Sequence, residues 1–295
     1  MFNKDAIYKI RRKLQVIAYD LTNPVVMSKI YFRIVLKQKL SLTNPKTFNE
    51  KIQYYKLYYC VKNRTIIEST DKYRVRKYLK KKGLMQYAIP LIGYWENPED
   101  IVWEKLPKRF VLKCNHGCAY NIICQDKEKL DKIKTITQLK NWLKEDFGKY
   151  NAEPHYSKIK RGIVCEKYLG DGKSEFLTDF KIHCFNGTPK FVLICSGRAQ
   201  HSAEYNYYDL DWNKLDYSTT ESSEFPMPSS FDEMVRISNI IAKDFPFVRV
   251  DFYEIDGKPI IGELTFVPAG GLDETIPKSA DYEIGQMLNL DEIRV

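Results

Sequence analysis

Arg249, Asp251, Glu263 and Thr265 fall within the stretch 247–271, whose alternating pattern reads as a β-hairpin. Side chains alternate along a strand, so Arg249, Asp251 and Tyr253 share one face while Val248, Val250 and Phe252 take the other. On the returning strand Ile260, Leu264 and Phe266 share the apolar face with Gly262, and Ile261, Glu263 and Thr265 occupy the opposite one. An arginine, two carboxylates and a hydroxyl on one surface suit a cation and phosphate site. Two carboxylates about 4 Å apart repel by about 4 kcal/mol at an effective dielectric near 20, so a cation or proton must lie between them. With oxygen donors alone, Mg2+ is the expected ion. The plainer reading is an exposed hairpin whose outer face is merely charged.

Whether the two polar rows meet depends on the loop. A two-residue turn at Asp256-Gly257 sets Asp251 and Glu263 on opposite faces, so the expected loop is Ile255-Asp256-Gly257 with Gly257 left-handed. That loop pairs Asp251 with Ile261 and leaves Glu263 diagonal to it.

The segment resembles the metal-binding end of the ATP-grasp ligases: Arg-x-Asp, a hairpin, then Glu-x-Asn followed by Pro and Gly, here Pro268, Gly270 and Gly271. Thr265 stands where that pattern has Asn, and its hydroxyl could coordinate the cation or position a water. The resemblance implies that Asp251, Glu263 and Thr265 face the metal. Upstream, Thr70 or Asp71 caps an expected helix from Tyr73 to Lys82 that ends at Gly83, followed by a strand-like run from Tyr87 to Gly93. In similar enzymes the lysine of such an Asp-Lys pair reaches the nucleotide phosphates, which assigns that role to Lys72; the plainer reading is a solvated helix start.

Arg109 to Cys118 reads as a strand ending near Lys113 and then a loop, with the strand pattern resuming at Asn121–Cys124. A lysine at the end of a buried strand needs an anionic partner, which a triphosphate would supply. The loop from Asn115 to Tyr120, with His116 and Gly117, would fold over the phosphates with its N–H groups inward. Gly162 to Leu169 matches the family's hinge, where backbone at Glu166, Lys167, Tyr168 and Leu169 reads the adenine edge, Glu166 lying near the adenine amino group or ribose. Leu177 to Ile194 reads as a second hairpin turned at Asn186-Gly187. Lys181 on its inner row is the third candidate phosphate contact, and Arg198 just beyond is a weaker one.

Taken together, the chain resembles the TupA-like subfamily of ATP-grasp proteins, found in bacterial surface-polysaccharide gene sets. The resemblance rests on Asn44 to Ile52, Asp71-Lys72-Tyr73, Lys113-x-Asn115-His116-Gly117, Asp179-Phe180-Lys181 and Glu263-Leu264-Thr265-Phe266, in that order. In this subfamily Thr at position 265 is the usual residue. The implied fold is α+β: an ATP-grasp fold of two α/β lobes clasping ATP, preceded by a mainly helical N-terminal region.

The expected organisation is a helical region 1–60 with a capped helix from Thr47 to near Tyr59, a preceding segment 61–104, one ATP-grasp subdomain 105–165 with a helix from Thr137 to Phe147, and a second subdomain 166–295 with a helix from Phe231 to Asp244. The stretch 218–230 is the most loop-like. At 295 residues, with 44% hydrophobic and 14% aromatic residues, the chain can fill more than one core. Cysteines at 60, 114, 118, 124, 165, 184 and 195 show no Cys-x-x-Cys spacing and read as reduced residues of a cytoplasmic protein; a zinc site from Cys114, His116 and Cys118 has the wrong spacing for a structural knuckle. No apolar run is long enough to span a membrane and no signal-like segment opens the chain. The net charge of +9 suits an anionic substrate or a membrane face. Residues Ile7 to Leu21 form a basic amphipathic stretch, read as a helix packed on the lobes or, alternatively, as a peripheral contact at the inner membrane.

The chemistry the resemblance implies is ATP-dependent amide formation through an acyl phosphate. A glycan or small-molecule carboxylate and an amine are the substrates, ATP and Mg2+ the cofactors, and no nucleic acid takes part. Arg249 would hold the acyl phosphate, with Lys181 assisting charge transfer; its plainer role is a bidentate partner of a neighbouring carboxylate. A uronic acid or amino-acid branch of a surface polysaccharide precursor is the expected carboxylate. Two other readings compete. Asp209 and Asp211 form an Asp-x-Asp pair, as in many nucleotide-sugar glycosyltransferases, although such pairs are frequent in turns. A non-catalytic polyanion-binding module would also be basic.

Overall fold

The computed structural model describes residues 4–170, 177–197, 204–220, 223–291 and 293, with side chains from residue 10 onward. Arg198 lies outside these residues.

Two antiparallel sheets organise the chain. The first contains β1 (Leu91–Trp95), β2 (Phe110–Cys114), β3 (Asn121–Cys124) and β4 (Ile163–Lys167), in the spatial order β1-β4-β2-β3. In β2 the pattern of burial follows the pleat: Phe110, Leu112 and Cys114 enter the core, while Val111 and Lys113 face the other way and are half-buried. The helix α6 (Lys132–Lys144) lies near β2 and buries Leu139. It begins ahead of the expected Thr137 because Asp131 caps it, accepting the amide of Lys134 at 2.9 Å.

The second sheet contains β5 (Asp179–Phe185), β6 (Thr188–Ser196), β7 (Glu204–Asp209), β8 (Lys214–Leu215), β9 (Phe247–Ile255) and β10 (Lys258–Thr265), in the order β10-β9-β5-β6-β7-β8. The expected Asn186-Gly187 turn joins β5 to β6, with φ of 45° and 84°. The helix α7 (Phe231–Ala242) packs on β5, β6 and β9, burying Phe231, Met234, Ile237 and Ile241 at helical spacing. Burial of each such side chain contributes about 1.5–3 kcal/mol.

The N-terminal part is helical: α1 (Lys4–Leu21), α2 (Pro24–Val35), α3 (Phe48–Tyr54), α4 (Arg64–Thr70) and α5 (Val75–Lys81). The Thr47 hydroxyl and Glu50 carboxylate form a capping box on α3, which continues as a π-helix from Tyr55 to Cys60. Between α4 and α5 Asp71 Oδ1 accepts the amides of Tyr73 and Arg74 at 2.8 and 3.2 Å, but the helix expected from Tyr73 starts only at Val75, after Arg74, with no side-chain cap; Thr70 ends α4. The strand expected from Tyr87 begins only at Leu91. Residues Met85–Tyr87 form a 3-10 turn, and Pro90, without an amide hydrogen, precedes the strand. A final helix, α8 (Lys278–Met287), is tied to α3 by Asp281, which accepts the Asn49 amide at 2.8 Å.

Candidate functional site

The β9–β10 hairpin brings the two carboxylates together by a different route from the expected one. Its turn has two residues, Asp256 and Gly257 with φ of 51° and 69°, and Ile255 pairs with Lys258. The ladder then shifts at Gly262, an extra residue on β10, so that Phe252 pairs with Ile261 but Asp251 pairs with Glu263. The same bulge transfers the apolar row from Ile260 to Ile261, which is buried with Leu264. On β9 the expected faces are found: Val248, Val250 and Phe252 are buried in the core, opposite Arg249, Asp251 and Tyr253.

Asp251 is the hub of this face. Arg249 grips it with Nε and Nη2, each at 2.7 Å, and Lys181 from β5 reaches Oδ2 at 2.7 Å. Burial alone would raise the Asp251 pKa, but Arg249 and then Lys181 hold it below the usual carboxylate range. Arg249 is thus the bidentate partner that the plainer reading anticipated, through Nε and Nη2. Lys181, expected as a phosphate contact, is the counter-ion of Asp251 and lies 3.6 Å from Asp179. Thr265 donates to Glu263 at 3.1 Å and accepts from Arg249 at 3.2 Å. The Glu263 side chain is 40% exposed and 4.0 Å from Arg249, so it is the open acid of the pair.

Between the two sheets lies a cavity of about 160 Å³, bordered by Val111, Lys113, Glu166, Tyr168, Leu169 and, from the larger sheet, Tyr253. Lys113 has the acidic partner that its burial demands, but the partner is Glu166 on the adjacent strand, at 2.8 Å. Glu166 also receives Arg76 from α5 at 3.3 Å. The Lys167 amide is taken by the Pro90 carbonyl at 2.9 Å, and Tyr168 and Leu169, which follow it, border the cavity.

The loop after β2 is held at both ends. Cys114 donates to the Tyr120 carbonyl at 2.9 Å, and Asn115 Oδ1 accepts the Gly162 amide at 2.8 Å. Lys72 donates to the Gly117 carbonyl at 2.7 Å, so it braces the loop in this structure. His116 departs from expectation: it is 1% exposed, rests against Tyr120, and its Nε2 lies 3.1 Å from the Trp142 carbonyl. Burial, followed by Arg161, lowers its pKa to about 4, which makes it a neutral core residue rather than a phosphate donor. Cys118 sits at the exposed rim of the loop, its Sγ 3.8 Å from the Tyr156 hydroxyl.

Behind the hairpin, Ala269, Gly270 and Gly271 all have positive φ. A buried Lys56 donates to the carbonyls of Gly270 and Asn151 at 3.0 and 3.2 Å, next to the buried Glu153. Burial pulls Lys56 down and pushes Glu153 up. Sequence reasoning missed this pair and Arg76, because their partners are far away along the chain.

The Asp-x-Asp pair is a turn. Asp209 Oδ1 accepts the amides of Asp211 and Asn213 at 3.0 and 2.8 Å, and Oδ2 accepts the Asn213 side chain at 2.9 Å. With Asp209 consumed in this way, the glycosyltransferase reading loses its motif. Among the described residues no group of three or more His, Cys, Asp and Glu is poised to hold a metal, zinc at Cys114, His116 and Cys118 included.

A family model described as TupA-like ATPgrasp matches residues 50–289. No match is found among curated proteins. Among solved structures, the chain is similar to D-alanine–D-alanine ligase from Bacillus anthracis complexed with ATP, at 16% identity and a TM-score of 0.45, over 75% of this chain and 63% of that one. It is similar to L-amino acid ligase from Bacillus licheniformis at 16% identity and a TM-score of 0.45, over 70% and 45% of the respective chains. For D-alanine–D-alanine ligase from Helicobacter pylori the values are 14% and 0.43, over 76% and 62%. The matched part thus spans less than two thirds of each of these three structures.

Proposed function

The chain belongs to the TupA-like ATP-grasp family, and on that premise we propose that it is an ATP-dependent carboxylate-amine ligase acting on a uronic-acid or amino-acid carboxylate of a surface polysaccharide precursor. The observation that carries the reading is the course of β9. Tyr253 borders the cavity that Lys113 and Glu166 line, and the same polar row continues to Asp251 and Arg249 in steps of about 7 Å. A nucleotide seated in the cavity would extend its phosphates along that row toward the two acids.

In this reading the base lies against Tyr168 and Leu169, and Lys113 exchanges part of its contact with Glu166 for a phosphate. Glu166 keeps Arg76 as a counter-ion when that happens. Lys72 keeps the loop closed over the phosphates by holding the Gly117 carbonyl. Asp251, Glu263 and Thr265 offer only oxygen, which suits Mg2+ held jointly by the protein and the phosphates, since Mg2+ rarely occupies an all-protein cage. When bound, that ion would supply charge neutralisation to the polyphosphate. A substrate carboxylate oxygen then forms a bond to the γ-phosphorus as the bridging β–γ oxygen departs with its electron pair, giving ADP and an acyl phosphate. The amine adds to the acyl carbon, phosphate leaves, and the nitrogen loses a proton. Arg249 would hold the acyl phosphate through Nη1 while Nε and Nη2 remain on Asp251. Among the described residues no helix is long and apolar enough to cross a membrane.

The test is ADP release with Mg-ATP and panels of uronic acids paired with amino acids, with the amide identified by mass. A product containing both partners with one ADP per bond supports the reading; ATP-independent sugar transfer from a nucleotide sugar would refute it.

A further inference from the structure

We propose that the α1–α2 hairpin docks the protein on a lipid surface bearing anionic headgroups. At about 100° per residue, Ile10, Leu14, Ile17 and Leu21 fall within an arc of about 60° on α1. They are 55%, 61%, 54% and 81% exposed, whereas a helix face packed on the protein would be covered. The covered face of α1 is the opposite one. Arg12 there pairs with Glu145 at 2.5 Å and lies over the Tyr150 ring, and Gln15 donates to the Tyr150 carbonyl at 3.1 Å. The apolar ridge is therefore held outward by contacts on its far side.

The next helix repeats the arrangement: Val26, Ile30 and Ile34 are exposed at four-residue spacing, while Met27 and Phe32 are buried. The cations sit beside these ridges. Arg11, Lys13, Lys29, Arg33, Lys37 and Lys39 are all exposed. In the first 40 residues nine Lys or Arg stand against two Asp, which leaves +7 of the chain's +9. Exposed aliphatic side chains bordered by cations match the acyl boundary and headgroups of an anionic membrane, and a second copy of so basic a surface would repel the first. Among the described residues no helix is long and apolar enough to cross a membrane, and the contact proposed is a peripheral one.

The experiment is co-sedimentation of the full chain with vesicles of phosphatidylcholine alone and of phosphatidylcholine mixed with phosphatidylglycerol. Partition onto the mixed vesicles, weakened by salt and at least about tenfold lower for Leu14→Ser/Ile17→Ser, is the expected result, with the thermal shift by Mg-ATP unchanged. Ile30→Ser/Ile34→Ser, on the other helix, should weaken binding in the same way. Equal binding to neutral vesicles, no binding to either, undiminished binding of both variants, or a dimer that the variants dissolve would overturn the proposal.

Discussion

Asp251 on β9 stands directly opposite Glu263 on β10 because Gly262 is an extra residue in that strand pair. The turn sets a register that places the acids on opposite faces, and the bulge resets it just before the pair. The acidic face therefore depends on a glycine with no chemistry of its own.

A Cβ at position 262 would lie 3.0 Å from Cε2 of Tyr253, which borders the cavity, and 3.4 Å from the Asp251 carbonyl. Gly262→Ala is expected to displace the tyrosine ring and weaken ATP binding by about 1 kcal/mol, or about fivefold. Titration of ATP into the variant checks this, and unchanged affinity would show that the ring does not shape the nucleotide site.

The two acids should respond differently to loss of charge. Asp251→Asn leaves Arg249 and Lys181 without their buried counter-charge and should cost about 3–5 kcal/mol of stability. Glu263 is 40% exposed and 4.0 Å from Arg249, so Glu263→Gln should change stability by under about 1 kcal/mol while abolishing turnover. Denaturant melts and ADP release, measured together, separate these effects; equal stability losses would contradict the assigned environments.

Acid should weaken the fold through its buried histidines. Burial first, and then Arg249, lowers His183 to about 3, and its ring stacks on Phe191 at 4.5 Å. The unfolded chain takes up a proton near pH 6.5 that the folded chain refuses, so stability is complete above that value and falls as pH drops toward the folded pKa. His183→Phe should flatten the slope between about pH 6 and about pH 4 by about 1.4 kcal/mol per pH unit. An unaltered slope would mean that this histidine is not held neutral.

The faces of β9 were legible because period two is set by the backbone, and the same count placed Tyr253 beside Asp251. The loop was not legible. A three-residue loop and a two-residue turn followed by a bulge both bring the acids to one face, and only the ladder at Gly262 distinguishes them. Lys113 was readable as a cation in need of an anion, yet Glu166 lies 53 residues away on a strand whose pairing the alternation could not specify. His116 looked like a loop donor because its partner, the Trp142 carbonyl, belongs to α6, 26 residues further along. Asp131, six positions before the expected start of α6, was a capping signal available in the sequence.

In the proposed site Asp251 and Glu263 share a cation with a nucleotide seated beside Lys113. The most direct test is equilibrium binding of ATP, with and without magnesium, to the native chain and to Glu263→Gln. Magnesium should tighten ATP binding to the native chain, and the variant should lose at least about tenfold of this magnesium-dependent affinity, about 1.4 kcal/mol, while its magnesium-free affinity is unchanged. Equal affinities of the two proteins for Mg-ATP would contradict it.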